Sequence, residues 1–227
     1  MAQKINPISL RLGLIQVWDS TLQNYGKLYI NYSTILHSQL QIYQFLIHLF
    51  SFNKLLLGSK QFSHFNNKVL LNIAHSNLIQ GSDKNLSVQP PGFSNHFNGK
   101  ILTRLYLRLQ WFSTVDLIFN YVQYLLKQNI PLNKTFLNLC RLFENQLNSK
   151  KILYSTHGPI IGNLKGFKIC LSGRFDNSRN QMAKSIKYKA GSLSLMKLQS
   201  HVEFKNSEIN TKLGTCGLQL WLFYEIY

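Results

Sequence analysis

Apolar residues recur at helical spacing in three stretches of the chain. In "ILHSQLQIYQFLIHLF" (35–50) Tyr43, Leu46, Ile47 and Phe50 form a stripe, although the segment is apolar on more than one side. Val115, Ile118, Val122, Leu125 and Leu126 repeat the spacing. There Ser113 is placed to cap the helix and Asp116 lies in its first turn, where a carboxylate meets the positive end of the helix dipole. Pro131 ends or interrupts that helix, because it lacks an N–H and its ring crowds the preceding turn. The cleanest pattern follows: Phe136, Leu139, Cys140, Phe143 and Leu147 at intervals of three and four, with Lys134, Asn138, Arg141 and Asn145 opposite.

Other segments alternate. "KVLLNIAHS" (68–76) predicts a buried strand, and "ILTRLYLRLQWF" (101–112) alternates Leu105, Leu107 and Leu109, with Arg104 and Arg108 beside the packing face. After residue 150 the period is two: Phe167, Ile169 and Leu171 alternate with Lys168, Cys170 and Ser172. "LSLMKL" (193–198), "HVEFK" (201–205) and "GLQLWLF" (217–223) follow as further strand-like runs, punctuated by Gly173, Gly191, Gly214 and Gly217. Between these regions "GSDKNLSVQPPGFSNHFNGK" (81–100), with Pro90, Pro91 and three glycines, reads as a long loop or insertion and as the place where two domains meet. The expected class is α+β, ending in a small mixed α/β domain with a basic loop between two of its strands.

Composition changes this picture through charge. An apolar fraction of 45% supplies a real core, and 227 residues fit one large domain or two modest ones. Against that core stand 25 Lys and Arg and only 8 Asp and Glu, a net charge of +17. Such a field draws a polyanion: nucleic acid first, an anionic membrane surface second. Residues 150–227 are the densest part, with twelve bases and four acids. They include "KGFKICLSGRFDNSRNQMAKSIKYKAG" (165–191), where Lys165, Lys168, Arg174, Arg179, Lys184, Lys187 and Lys189 face a single acid, Asp176. Asn177, Asn180 and Gln181 add uncharged hydrogen bonds for phosphate or ribose. Such side chains position a sugar–phosphate backbone rather than read bases, so RNA and DNA are not separated by them. Tyr188 either stacks on a base or packs in the core. The opening "MAQKINPISLRLG" carries Lys4 and Arg11 without nearby acids, as a basic arm or as a tail that becomes ordered at Ile8, Leu10 and Leu12.

Catalytic chemistry finds little purchase. The chain has no HExxH, P-loop, GxSxG or Rossmann-type glycine run. Glu203 and Glu208 are the nearest thing to a carboxylate pair, and strand geometry makes Glu203 a lysine's partner instead. Gly214-Thr215-Cys216-Gly217 has the spacing of a phosphate-clamping GxxG, but it feeds directly into an alternating run and reads as a turn or bulge. Cys140, Cys170 and Cys216 lie in apolar surroundings, form no CxxC and predict buried thiols. The seven histidines do not cluster as ligands. No enzyme activity, metal or cofactor is expected. No charged-then-apolar secretory opening is present, and the most apolar patch, "IYQFLIHLF", is too short to span a bilayer. Abundant Asn, Leu, Phe, Tyr, Ile and Lys fits an A/T-rich organelle gene, whose product needs no import signal.

Two groups of motifs carry a resemblance. "MAQKINPISLRLGLIQVWDS" resembles the opening of the third protein of the ribosomal small subunit, a universal family, and "GFKICLSGRF", "YKAG" and "GTCGLQLWLF" occur in that family's order and near its spacing. The resemblance implies a structural ribosomal protein without turnover. It implies a basic N-terminal arm (1–20), a divergent KH-like domain (21–100) and a C-terminal α/β domain (101–227). Contacts to small-subunit rRNA are implied for Gln3, Lys4, Asn6 and Arg11 at the start, and for Lys168, Arg174 and Tyr188 in the later motif. Lys189 stands where the family has arginine, keeping the charge and losing the bidentate fork. With Lys165, Arg179, Lys184 and Lys187 these are the expected rRNA-binding residues. Lys127, Lys134 and Arg141 are the candidates for the channel through which mRNA enters. No basic GxxG loop stands between residues 50 and 110. The implied partners are small-subunit rRNA in the head, mRNA and neighbouring head proteins, without a membrane span. The implied location is the mitochondrion, with the plastid as the alternative. A free-standing RNA-binding or RNA-maturation factor is the alternative function.

Overall fold

Helical spacing in the first half of the chain becomes α1 (Tyr29–Phe52) in this computed structural model, which describes residues 5–20, 29–65, 68–77, 100–108, 110, 112–174 and 182–226. Ile42, Leu46 and Phe50, each four residues apart, share the face of α1 that is buried against β1 (Leu55–Phe65) and β2 (Lys68–Asn77). Ile47 was expected in this stripe but is 52% exposed, because one further residue turns the side chain about 100° away from Leu46. β1 pairs antiparallel with β2, and β2 pairs parallel with β3 (Lys100–Leu107), giving the order β1-β2-β3. Leu105 packs on the core as expected, whereas Leu107, the last residue of this edge strand, is exposed. β1 itself has no clear alternation in its sequence and was not anticipated.

The chain divides into two compact units, Trp18–Asn120 and Met1–Val17 with Tyr121–Tyr227. Residues 101–107 therefore complete the first sheet rather than open the second unit, because β3 finds its hydrogen-bond partner in β2. The loop expected at 81–100 lies, but for Lys100, outside the described residues. The division falls within α2 (Val115–Lys127), whose Val115, Ile118 and Val122 are buried. Thr114 accepts its first helical hydrogen bond, so the cap position is Thr114 rather than Ser113. α2 ends in a left-handed Asn129 (φ 61°), with Ile130 N donating to Leu125 O and Asn129 N to Leu126 O. This pair of bonds stops a helix without proline. Pro131, with φ −66°, then takes the N-cap of α3 (Leu132–Asn145), where its missing N–H costs nothing.

The second unit is built on β5 (Gly158–Gly173), long enough to take two partners along one edge. β4 (Lys150–Ser155) pairs with its first half and β6 (Lys184–Gly191) with its second, and a bulge at Lys165 separates them. β7 (Ser200–Thr211) and β8 (Gly214–Ile226) extend the other side in the order β4-β5-β8-β7. Lys184–Gly191 was expected in a basic loop and is a strand: Ile186, Tyr188 and Ala190 alternate with Ser185, Lys187 and Lys189, and β5 supplies the ladder. "LSLMKL" was expected as a strand and is irregular: Leu195 and Lys197 direct their carbonyls to the Arg11 guanidinium instead of to a neighbouring strand. At the exit of β6, Gly191 has φ +75°, and a Cβ there would lie 2.1 Å from Lys165 O, so only glycine fits. The α3 stripe closes on this sheet as its spacing predicts, with Phe143 5.2 Å from Phe167 between ring centroids. All three cysteines are buried, as expected.

Candidate nucleic-acid interface

In antiparallel strands, residues paired directly across the ladder point to the same face. The register therefore sorts the basic stretch. Tyr188, Ile169 and Leu220 form one row, on the face that α3 covers. The Tyr188 ring lies 5.9 Å from that of Phe167 and its hydroxyl donates to Glu144 of α3, so Tyr188 packs and does not offer itself to a base. The adjacent row points the other way: Lys189, Lys168, Trp221 and Phe204, one from each of β6, β5, β8 and β7. The next row on that outer face is Lys187, Cys170, Gln219 and Asn206. Lys187, Lys189 and Asn206 are exposed, and Lys168, Gln219, Trp221 and Phe204 are partly so. The Lys168 ammonium lies 4.8 Å from the centre of the Trp221 ring, which stands 5.0 Å from Phe204 at 33°. One acid, Glu208, follows at the corner, in the row of Ser185, Ser172 and Gly217.

The remaining expected residues scatter. Lys127 and Arg174 line one cleft of about 750 Å³ with Asn129, Pro131, Glu208 and Lys212. Lys134 and Arg141, seven residues apart, are exposed on α3. Lys184 is exposed at the first position of β6, and Lys165 sits at the bulge of β5. Gln3, Lys4 and Arg179, like Asn177, Asn180 and Gln181, lie outside the described residues.

Arg11 departs from its expected role. It is fully buried. Its Nε donates to Ser200 O (2.8 Å), Nη1 to Pro7 O (2.9 Å), and Nη2 to Leu195 O and Lys197 O (both 2.8 Å). Four of the five N–H groups of this guanidinium go to backbone carbonyls, and its burial closes it off from a phosphate in solution. Nearby, Asn6 Oδ1 accepts from Ile8 N (3.0 Å), and Gln16 bridges to Ser155 while its amide donates to Val202 O. The N-terminal segment thus ties β4 to β7, the two ends of the strand order. A cation of low exposure inside a domain satisfies backbone carbonyls as readily as phosphate oxygens, and sequence does not tell the two apart.

Glu203 does pair with a lysine, Lys151, whose ammonium is also 5.0 Å from the Tyr224 ring. Burial drives the Tyr224 phenol well above its ordinary range, with Glu203 adding to the rise. Among the described residues no group of three or more His, Cys, Asp or Glu is placed to hold a metal ion, and no helix is long and apolar enough to cross a membrane. Gly214 and Gly217 both lie in β8, with the turn before them at Lys212 and Leu213. Trp221 and Phe204 were not singled out as site residues. Part of their signal was present: in "GLQLWLF" the leucines at 218, 220 and 222 face inward, leaving Trp221 on the other parity with Gln219 and Phe223.

Comparison with known proteins adds lineage to this geometry. A family model described as Ribosomal protein S3, C-terminal domain, matches residues 139–222. The chain is 43% identical to the small ribosomal subunit protein uS3m of Chondrus crispus, over 99% of its own length and 94% of the relative's. It is 23% identical to the small ribosomal subunit protein uS3 of Staphylococcus epidermidis, over 98% and 93% of the two chains, and equally so to that of Staphylococcus aureus.

Proposed function

The chain belongs to the uS3 family of small ribosomal subunit proteins, and from that premise we propose that it is a structural constituent of the mitochondrial small ribosomal subunit, binding rRNA. The observation that carries this reading is similarity along 99% of the chain to a mitochondrial small-subunit protein. The register of the second sheet supports the RNA-binding part: α3 seals one face, and Lys168, Lys187 and Lys189 collect on the other. Three ammonium groups on adjacent rows suit a sugar–phosphate backbone, which they position without reading sequence. The rRNA of the subunit head is the ligand proposed for this face. The unit Trp18–Asn120 is read as the divergent KH-like domain, next to neighbouring head proteins. Lys127 in its cleft, and Lys134 and Arg141 on α3, are proposed to meet mRNA where it enters. No turnover is assigned to the protein.

The primary test is sedimentation of the native protein in mitochondrial extract. Co-migration with the small subunit through high salt is expected; a predominantly free pool overturns the ribosomal assignment in favour of a free-standing RNA-binding factor. For the channel, crosslinking from Lys127 and Lys134 in translating particles is expected to capture mRNA. Crosslinks to rRNA alone would remove that role.

A further inference from the structure

Phosphate binding by lysines leaves two features of the outer sheet face without a use. The row that begins with Lys189 and Lys168 ends in two aromatic rings, and one of those lysines rests on a ring rather than projecting from it. We infer that Trp221 and Phe204 form a stacking platform for one unpaired ribonucleotide, with Lys168 and Lys189 receiving its phosphate. This deepens the RNA-binding role proposed above and rests on it.

Three observations converge. First, the inner parity of β8 is filled by Leu218, Leu220 and Leu222, while Trp221 and Phe204 lie on the outer parity and, unlike the buried Phe223 and Val202 of the next row there, reach solvent. Second, three lysine–ring contacts occur among the described residues, and their surroundings differ. Lys60 over Tyr43 has Asp19 close enough to be influenced by it, and Lys151 over Tyr224 is paired with Glu203. Among the described residues no carboxylate pairs with Lys168, and its neighbour in the row is another lysine, Lys189. An ammonium held on an aromatic face beside a second ammonium calls for an anion. Third, the ligand must also be flat, because the indole and the phenyl are adjacent and both reach solvent. A ribonucleotide joins a planar ring to a phosphate within one residue; inorganic phosphate lacks the ring. Asn206 and Gln219, one row along the strands, offer amides to the ribose hydroxyl or a base edge.

The geometry implies an exchange. In the free protein Lys168 occupies the indole face through cation–π attraction. An arriving base takes that face, and the flexible ammonium moves to the phosphate, so the cation is partnered in both states. Stacking of this kind tolerates any base, because every base has a π-face.

The test uses the full chain and two short unstructured RNA oligonucleotides, one intact and one with central abasic positions. Wild type is expected to prefer the intact RNA by roughly tenfold, the order that stacking of one base supplies. Trp221→Leu is expected to bring that preference close to unity while the salt dependence of binding stays, since the lysines remain. Trp221→Phe is expected to keep part of it, and Phe204→Leu to lose a smaller part. Leucine variants with native circular dichroism that discriminate as well as wild type overturn the inference, as does equal affinity of wild type for both RNAs, the result a protein-docking face gives. Should a variant misfold, ultraviolet crosslinking of wild type decides: nucleotide attached to the peptides of Trp221 or Phe204 supports the platform, and attachment only elsewhere overturns it. If wild type binds neither RNA at low salt, the RNA-binding role falls and the platform with it.

Discussion

Each of the two units holds a lysine ammonium over an aromatic ring, at 4.2 Å for Lys60 and Tyr43 and 4.8 Å for Lys168 and Trp221. The contacts are nearly alike, and their electrostatic settings are not. Burial first, then the charges of Asp19 and Asp116, push the Tyr43 phenol up to about 12, while Lys60 pulls the raised Asp19 carboxyl back down. Lys60 therefore offsets acids inside its own unit. Lys168 stands in a row with Lys189 and turns its charge outward. A cation–π distance does not say whether a lysine packs or waits for a ligand; the nearby carboxylates do. Arg11 is the limiting case of the inward kind, a buried cation with four of its five N–H groups on backbone carbonyls.

Replacing Arg11 tests that distinction most severely. Arg11→Met takes the donor from Ser200 O and Pro7 O, whose bonds to Arg11 are buried, and unsatisfied buried groups cost about 1–3 kcal/mol each, so a loss of roughly 3 kcal/mol is expected in calorimetric unfolding. Arg11→Lys recovers little, because an ammonium cannot reproduce the planar fork. The RNA affinity of folded Arg11→Met should be unchanged; normal melting with lost binding would return Arg11 to the RNA-contacting set.

Charge reversal sharpens the outward side. Lys168→Glu, Lys187→Glu and Lys189→Glu together are expected to weaken rRNA binding and to reduce the slope of log K against log salt by about 2, at roughly 0.7 per single-strand phosphate contact. Helix content should be retained. Lys60→Glu should do the reverse, lowering the melting temperature with the salt slope intact. Identical slopes for the triple variant and wild type would remove these lysines from the interface.

A smaller effect is expected at the compensated pair of the second unit. Glu203→Gln leaves the half-buried Lys151 without its counter-charge, and a loss of about 1 kcal/mol in chemical denaturation should follow. No loss would mean that solvent already supplies the compensation.

The smallest expected effect is on pH dependence. Burial holds the His201 imidazole below its ordinary 6.5, with Lys151 and Arg11 lowering it further against the opposing pull of Glu203. The unfolded chain then takes up a proton that the folded chain refuses. Stability is full above about pH 6.5 and falls as the pH drops below it. His201→Gln should flatten part of that fall in melting temperature. The rest belongs to groups such as His75 of the other unit, also lowered by burial. An unchanged slope would show that His201 protonates without penalty.

Legibility tracked periodicity. The buried set of α3, including Phe136, Leu139, Cys140 and Phe143, was readable because a helix against one sheet needs one apolar stripe. Phe167, Ile169 and Leu171 were readable because β5 is covered on one face along that stretch. β6 was not, since its short inward set of Ile186, Tyr188 and Ala190 is interleaved with lysines and serine, and the strand takes its hydrogen bonds from β5, reached across the intervening basic segment. Among site residues, Lys187 and Lys189 were named from charge density, but Trp221 was missed because one residue of parity separates a core tryptophan from a surface one.

Amino-acid order alone determined the α+β class, the excess of positive charge, the poverty of acids and the family, because these depend on local spacing and composition. Tertiary structure decided which cations are available. Arg11 and Lys189 carry equal charge in similarly basic stretches, yet long-range folding encloses one among carbonyls from residues 195–200 and leaves the other on an open ladder. The reason is that a charge's role is set by the oxygens around it, and those come from parts of the chain that sequence proximity does not reveal.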